Sequence, residues 1–245
     1  MQAYNLVSAG GIIVLLGVAW LASADRKNMN WRVIGWGVGL QLLFALLVFV
    51  CIAPLPAAWN PFLWLNDGVN RVLESAAAGA EFVFGELAKG DKLGFILAFQ
   101  SLPTIIFFSA LVAILYYYRI LPAIIRFFSR IFTRLMGISG AESVCAASNI
   151  FVGVESSLNV RPHLASMTRS ELCTVLAAGM ATVASNVLAL YIMALRESFD
   201  TIAAHLISAS ILSAPAAVVM SKIVMPESGT PDTLGTDVAP HYERE

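Results

Sequence analysis

Two long uncharged stretches constrain this chain before anything else does. Leu6 to Ala24 runs 19 residues and Val33 to Ala53 runs 21 residues without a charged side chain. About 20 apolar residues in a helix cross the roughly 30 Å hydrocarbon core of a bilayer. Lipid offers the backbone no hydrogen-bond partners, so such runs are read as transmembrane helices. Asp25-Arg26-Lys27-Asn28 ends the first run, and Pro54 and Pro56 close the second. Trp31 and Trp36 sit where aromatic side chains anchor to the interface.

Composition extends the membrane reading to the whole chain. Apolar residues make up 58% of 245 positions and charged ones 13%, with a mean hydropathy of +0.78. Soluble domains run near about 45–50% and 25%. The net charge of −1 gives no electrostatic footprint for nucleic acid. Cys51, Cys145 and Cys173 are scattered through apolar runs, and His163, His205 and His241 are dispersed. Neither set has a zinc or redox spacing. With no Ser/His pair, HExxH or glycine-rich phosphate loop, an enzyme is not expected. The first apolar run lacks a basic n-region and leads straight into the second, which suits a retained span.

Residues 54–92 read differently. Asn66, Asp67, Asn70, Arg71, Glu74, Glu81 and Glu86 recur through them, while Leu65, Val69, Val72 and Leu73 can share one helical face. A helix lying in the interface fits this pattern, and an ordinary extramembrane amphipathic helix is the alternative. Gly94 to Tyr118 reads as a third span with Pro103 inside it. Leu121 to Leu135 then carries Arg126, Arg130 and Arg134 at four-residue spacing after Arg119, the pattern of a basic cytoplasmic surface helix. Thr168-Arg169-Ser170-Glu171 is a capping box. It opens a fourth span, Leu172 to Leu195; Ala203 to Met225 is a fifth, ended by Pro226.

The expected fold is therefore an all-α integral membrane protein of about five transmembrane helices, with interfacial helices and a re-entrant helical hairpin. Its parts are two N-terminal spans (1–53), an interfacial segment (54–92), a core (93–227) containing the hairpin (138–165), and a polar linker or tail (228–245). With the N-terminus outside, Arg26, Lys27, Arg32, Arg119, Arg126, Arg130, Arg134, Arg161, Arg169 and Lys222 face the cytoplasm. Only Arg71, Lys89, Lys92 and Arg196 face out, which satisfies the positive-inside bias. That count works only if Gly140 to Leu164 enters and leaves on the same side.

Gly140 to Leu164 carries the chemistry. Some ten residues lie on either side of Gly153, about half of what a full span needs. Small residues dominate the first arm and allow close helix packing. Glu155 follows at the tip, with Asn149 one turn back. An intramembrane carboxylate normally faces a cavity or a partner, and broken helices at membrane depth are where transporters place substrate and ion sites. Glu155 would accept hydrogen bonds from sugar hydroxyls. A polar loop between two surface helices, with Glu155 solvated, is the alternative.

The runs Gln100-Ser-Leu-Pro103 through Phe107-Phe108-Ser109, Gly140-Ala-Glu-Ser143, Ala147 through Gly153, Met167 through Leu172, Gly179-Met-Ala-Thr182 and Ser213-Ala-Pro215 resemble, in order, the signatures of concentrative nucleoside transporters. The resemblance covers about residues 6 to 227. It implies sodium-coupled, or in some members proton-coupled, nucleoside uptake by alternating access, in homotrimers moved by an elevator-like transport domain. A bacterial inner membrane is the expected location. On this resemblance the tip, Gly153, Val154 and Glu155, meets the nucleoside. Asn149, the carbonyls of Val152 and Val183, and Thr182 hold sodium, oxygen ligands that suit a hard cation; no other cofactor is implied.

Two departures qualify that expectation. The family tip reads glycine, glutamine, threonine, glutamate; here it is one residue shorter, Val154 replaces the amide, and Ser156-Ser157 stand where alanine and proline are usual. Nothing after residue 170 repeats the hairpin, so a second, inverted half with the rest of the binding site is expected on a separate C-terminal partner or a longer reading frame. The competing reading is a non-transporting membrane scaffold or gate-like module that binds no substrate by itself.

Overall fold

The computed structural model describes residues 2–48, 59–89, 94, 96–196 and 198–241. Cys51, Pro54, Pro56, Lys92 and the end of the second expected span lie outside them. Among the described residues the chain is helical, with no β-strand and one isolated bridge, Ser139 to Leu234. Helices α1 (Gln2–Leu21) and α2 (Trp31–Leu46) are the two N-terminal runs, and the Asn30 side chain caps α2 by accepting from Arg32 N–H and Val33 N–H. Helix α3 (Pro61–Phe84) opens on the same logic, with Asn60 as cap and Pro61 at the first helical position. Its inner face is Asn66, Leu73, Ala76 and Ala80, and Leu65 points outward, one position off the face the sequence suggested.

The third span, Leu97–Tyr117, contains Pro103 as expected, but its helix is divided just before the proline. A single turn, Leu97–Gln100, is followed by α4 (Leu102–Tyr117), so Pro103 falls in the first turn of α4. There its missing N–H has no helical partner to lose. Helix α5 (Ile120–Met136) is the basic surface helix, entered through Arg119 at φ +61°. Helix α6 (Gly140–Val152) and a 3-10 segment (Gly153–Ser166) then pack against each other, and the chain turns back at Gly153. The first arm is α-helical, as the sequence suggested. The second is wound more tightly, and Pro162 within it cannot donate a backbone hydrogen bond.

The fourth span is broken. Helix α7 (Arg169–Ala181) stops at Thr182, whose backbone is extended, and α8 (Ser185–Leu195) begins after Ala184. The last helix, α9 (Ile202–Val224), is continuous through Pro215. Leu97–Tyr117, Arg169–Leu195 and Ile202–Val224 are long and apolar enough to cross a membrane.

At the centre lies α6. Every residue from Ile138 to Ile150 is buried, against α5, α7, α9 and the second arm. Glycine, alanine, serine and cysteine make this possible, because they let neighbouring backbones approach. Its N-terminal base is held ionically. Lys222 Nζ on α9 lies 2.6 Å from Glu142 Oε1 and 3.1 Å from Glu227 Oε2, and donates to Ser170 Oγ at 2.9 Å. Glu142 and Glu171 also close capping boxes with Ser139 and Thr168. The sequence reading singled out the second box; the first, Ser139-Gly-Ala-Glu142, has the same spacing and was missed, and the burial of Lys222 left no sequence signal.

The polar stretch after Pro226 is irregular in backbone and largely exposed, but it is tied to the core at several points. Gly140 N–H donates to Thr233 O at 2.9 Å and Ala141 N–H to Thr233 Oγ1 at 3.2 Å, which satisfies N–H groups that α6 cannot pair internally. A Cβ at Gly140 would collide with Thr236 O and come within 2.8 Å of Val238 Cγ2. Farther on, Asp237 Oδ2 pairs with Arg130 Nη2 at 2.8 Å, and His241 N–H donates to Asn159 O at 2.9 Å.

Candidate functional site

The tip of the hairpin meets the break between α7 and α8. Gly153 makes the meeting possible twice over. Its backbone (φ +62°, ψ −137°) lies in a region that side-chain-bearing residues avoid, and a Cβ there would stand 2.8–2.9 Å from Ala184 N, Cα and Cβ. The turn of one segment therefore sits directly on the unwound backbone of the other.

Asn149 joins the two. Its carbonyl accepts from Gly153 N–H and from Thr182 Oγ1, the latter at 3.0 Å. Its side-chain amide donates to the Ala178 carbonyl, in the last turn of α7. Ser156 Oγ, from the second arm, donates to Asn149 Oδ1 at 3.4 Å and lies 3.5 Å from Cys145 Sγ. The Asn149 contact accounts for part of why α7 ends where no glycine or proline stops it: the Ala178 carbonyl in its last turn is taken up by a side-chain donor.

The electrostatics follow from helix direction. Both α6 and α7 end here, and each carries partial negative charge on its terminal carbonyls. Carbonyl, amide and hydroxyl oxygens from Asn149, Ala178, Thr182 and Ser156 converge around those ends. Such a donor set suits a hard cation such as sodium. No group of three His, Cys, Asp or Glu side chains able to hold a metal occurs among the described residues.

Beside this cluster lies a small cleft of about 130 Å³, lined by Ser109, Val112, Val152, Glu155, Ala184, Ser185 and Asn186. Glu155 is exposed, and the α8 N-terminus at the same cleft has no side-chain cap. An exposed carboxylate and a helix N-terminus together offer an acceptor for hydroxyl groups and donors for electronegative atoms.

Of the residues expected from the sequence, Asn149, Val152, Gly153, Glu155 and Thr182 are brought to one place. Val154 is 65% exposed and lies over Gly179 of α7, away from the cleft lining. Val183 is 36% exposed in the break. Ser156 was noted in the sequence only as a departure, yet it is fully buried in the cluster. Ser109 entered the sequence reading only as part of a family signature, without a site role, and Asn186 carried no signal, because a lone serine or asparagine in an apolar run is more often satisfied by its own helix.

Comparison with known proteins bears on both the fold and the site. Residues 10–87 match a family model described as the Na+ dependent nucleoside transporter N-terminus, and residues 98–198 match one described as Gate, nucleoside recognition. Mouse solute carrier family 28 member 3 is 40% identical over 228 residues, which is 93% of this chain and 31% of that protein. Pig sodium/nucleoside cotransporter 1 is 41% identical over 224 residues, 91% of this chain and 33% of that protein. Among solved structures, CNTnw in an inward-facing, substrate-bound state superposes with a TM-score of 0.82 at 33% identity, covering 93% of this chain and 55% of that one. A doubly substituted CNTnw in an outward-facing state gives 0.86 at 32% identity, covering 100% of this chain and 57% of that one. The chain thus spans about a third of the length of the curated relatives it matches. The second matched region, 98–198, contains α4 through α8 and with them the whole cluster.

Proposed function

Because this chain belongs to the concentrative nucleoside transporter family, we propose that it supplies the N-terminal half of a sodium-coupled nucleoside carrier working by alternating access. The observation that carries this reading is the convergence of two helix C-termini on Asn149, with Glu155 in the adjoining cleft. Sodium is held between Asn149, Thr182 and the carbonyls of Val152 and Val183. Glu155 accepts hydrogen bonds from the ribose hydroxyls, and Gly153 allows the tip to approach. Val154 carries no side-chain amide, so base selectivity comes from elsewhere in the site.

A ligand pocket typically occupies about 300–1,000 Å³. A cleft of about 130 Å³ therefore presents part of a nucleoside site, and the remaining wall comes from a C-terminal half of the carrier. The same observation favours a second, narrower reading: by itself the chain is a gate-like module without nucleoside affinity. Charge asymmetry supports an N-terminus outside, with α5 and the base of the hairpin on the cytoplasmic side of the cell membrane. The family resemblance supports assembly as a homotrimer and leaves proton coupling as the alternative to sodium.

The test is uptake of labelled nucleoside into vesicles holding the carrier assembled from this chain and a C-terminal half. Glu155→Gln should reduce uptake at least about tenfold, the loss expected for one charge-assisted hydrogen bond, without altering insertion. Wild-type uptake by that variant would remove Glu155 from the site. Uptake by this chain alone would overturn the need for the second half.

A further inference from the structure

Helix α5 presents three faces, and among the described residues one of them, apolar and exposed, is left uncovered. Leu121, Ile125, Ser129, Phe132 and Met136 face the core. Ile120, Ile124 and Phe127 are apolar and exposed, at 49%, 37% and 61%. Arg126, Arg130 and Arg134 are exposed as well. At 3.6 residues per turn, steps of four advance roughly 40° around the axis, so the arginines form one slanted row. That row lies directly beside the exposed apolar face and away from the core face.

This is the arrangement of a helix lying in the headgroup layer, with its apolar side toward acyl chains and its cations at the level of the phosphates. The helix sequence contains no carboxylate. Among the described residues, the ion-pair partner of the row is Asp237, on Arg130. Arg32 adds further positive charge at the helix C-terminus, where its guanidinium donates to Arg134 O at 3.1 Å. Guanidinium groups bind phosphate oxygens in bidentate fashion.

We infer that α5 is a docking surface for anionic phospholipid, with Arg126 and Arg134 free to take phosphate headgroups and Arg130 shared between lipid and Asp237. The inference needs only the membrane placement of the chain and is independent of what is transported. Because Asp237 belongs to the stretch that caps α6, lipid on Arg130 competes with one anchor of that stretch.

The full chain is purified in uncharged detergent and mixed with short-chain phosphatidylglycerol or phosphatidylcholine, and retained lipid is counted by native mass spectrometry. Phosphatidylglycerol should be retained preferentially, and the preference should fall as ionic strength rises from about 0.05 to about 0.5 M. Arg126→Gln with Arg134→Gln should lower phosphatidylglycerol retention by roughly fivefold per arginine removed. Arg126→Lys with Arg134→Lys, a control for folding, should keep most of it. Asp237→Asn frees Arg130 and should raise retention. Equal retention of the two lipids by the wild-type chain would overturn the inference, as would unchanged selectivity in the glutamine variant. Full displacement of lipid by inorganic phosphate at matched concentration would replace it with a simple anion site.

Discussion

At its N-terminal end α6 is fixed by Glu142, Lys222, Glu227, Ser170 and Thr233, which together satisfy both charge and backbone. At its C-terminal end the same helix stops against another stopped helix, with neutral side chains bridging carbonyls and a cleft alongside. At the base the polar groups are charged and locked to one another, while at the tip neutral oxygen atoms are gathered through single side-chain hydrogen bonds. A buried ion pair contributes little net stability over an apolar pair, but breaking one half of it is costly. The base is therefore suited to hold position and the tip to respond to a ligand. Substitutions at the two ends should consequently fail in different ways.

The largest effect is expected at the base. Lys222→Met leaves Glu142 buried without its cation, at a cost of about 3–5 kcal/mol. Thermal unfolding of the purified chain, followed by labelling of the buried Cys145 thiol, should show a large loss of stability. Adding Glu142→Gln should restore much of it, because glutamine can still close the capping box with Ser139. If the double variant is no more stable than the single one, the ion pair is not what holds the base.

Next in size is Gly153→Ala. The added methyl group meets Ala184 at under 3 Å in a backbone conformation that favours glycine. Overpacking and strain together cost about 2–4 kcal/mol. Unlike the base variants, this one should also abolish any stabilisation of the chain by sodium. A Gly153→Ala chain that keeps the wild-type sodium response would separate the tip from the ion site.

How much of this contrast could be read beforehand differs between the ends. At the tip the residues were legible: Asn149, Gly153 and Glu155 stand out as polar or flexible positions in a stretch too short to span twice. The break at Thr182 was not legible. Ala181-Thr-Val-Ala184 contains neither glycine nor proline, and what ends α7 there is tertiary, namely the Asn149 amide and the approach of Gly153. At the base, Lys222 read as one cytoplasmic charge among ten, since burial of a lysine is decided by the partners folding brings to it. Glu142 lay inside a motif but offered no hint of its counter-ion 80 positions away. The stretch after Pro226 read as a polar linker or tail, and most of its residues are exposed. Thr233 within it nevertheless caps α6 with its carbonyl and its hydroxyl, a role composition does not encode.

A smaller effect is expected at Thr182, and it sharpens the tip assignment. Thr182→Ala removes a hydroxyl that donates to Asn149 O at 3.0 Å, costing about 1 kcal/mol in the absence of sodium. If the hydroxyl is also a sodium ligand, the sodium-induced rise in unfolding temperature should shrink by more than the baseline falls. Thr182→Ser should keep it. Equal sodium-induced rises in the alanine and wild-type chains would limit Thr182 to a structural bond.

Ser156→Ala should have the smallest effect and is the finest probe of the tip. The bond to Asn149 Oδ1 is long, at 3.4 Å, and the hydroxyl lies near the Cys145 thiol. Its loss should cost the protein at most about 1 kcal/mol. Yet Oδ1 is the side-chain oxygen of the candidate ion ligand, and Ser156 is the group that occupies it in this structure. Removing the competitor should leave Oδ1 free to turn toward a cation, so sodium affinity should stay level or rise slightly, opposite in sign to Thr182→Ala. A fall in sodium affinity comparable to that of Thr182→Ala would instead make Ser156 part of the ion site, and the tip would then draw its ligands from both arms of the hairpin.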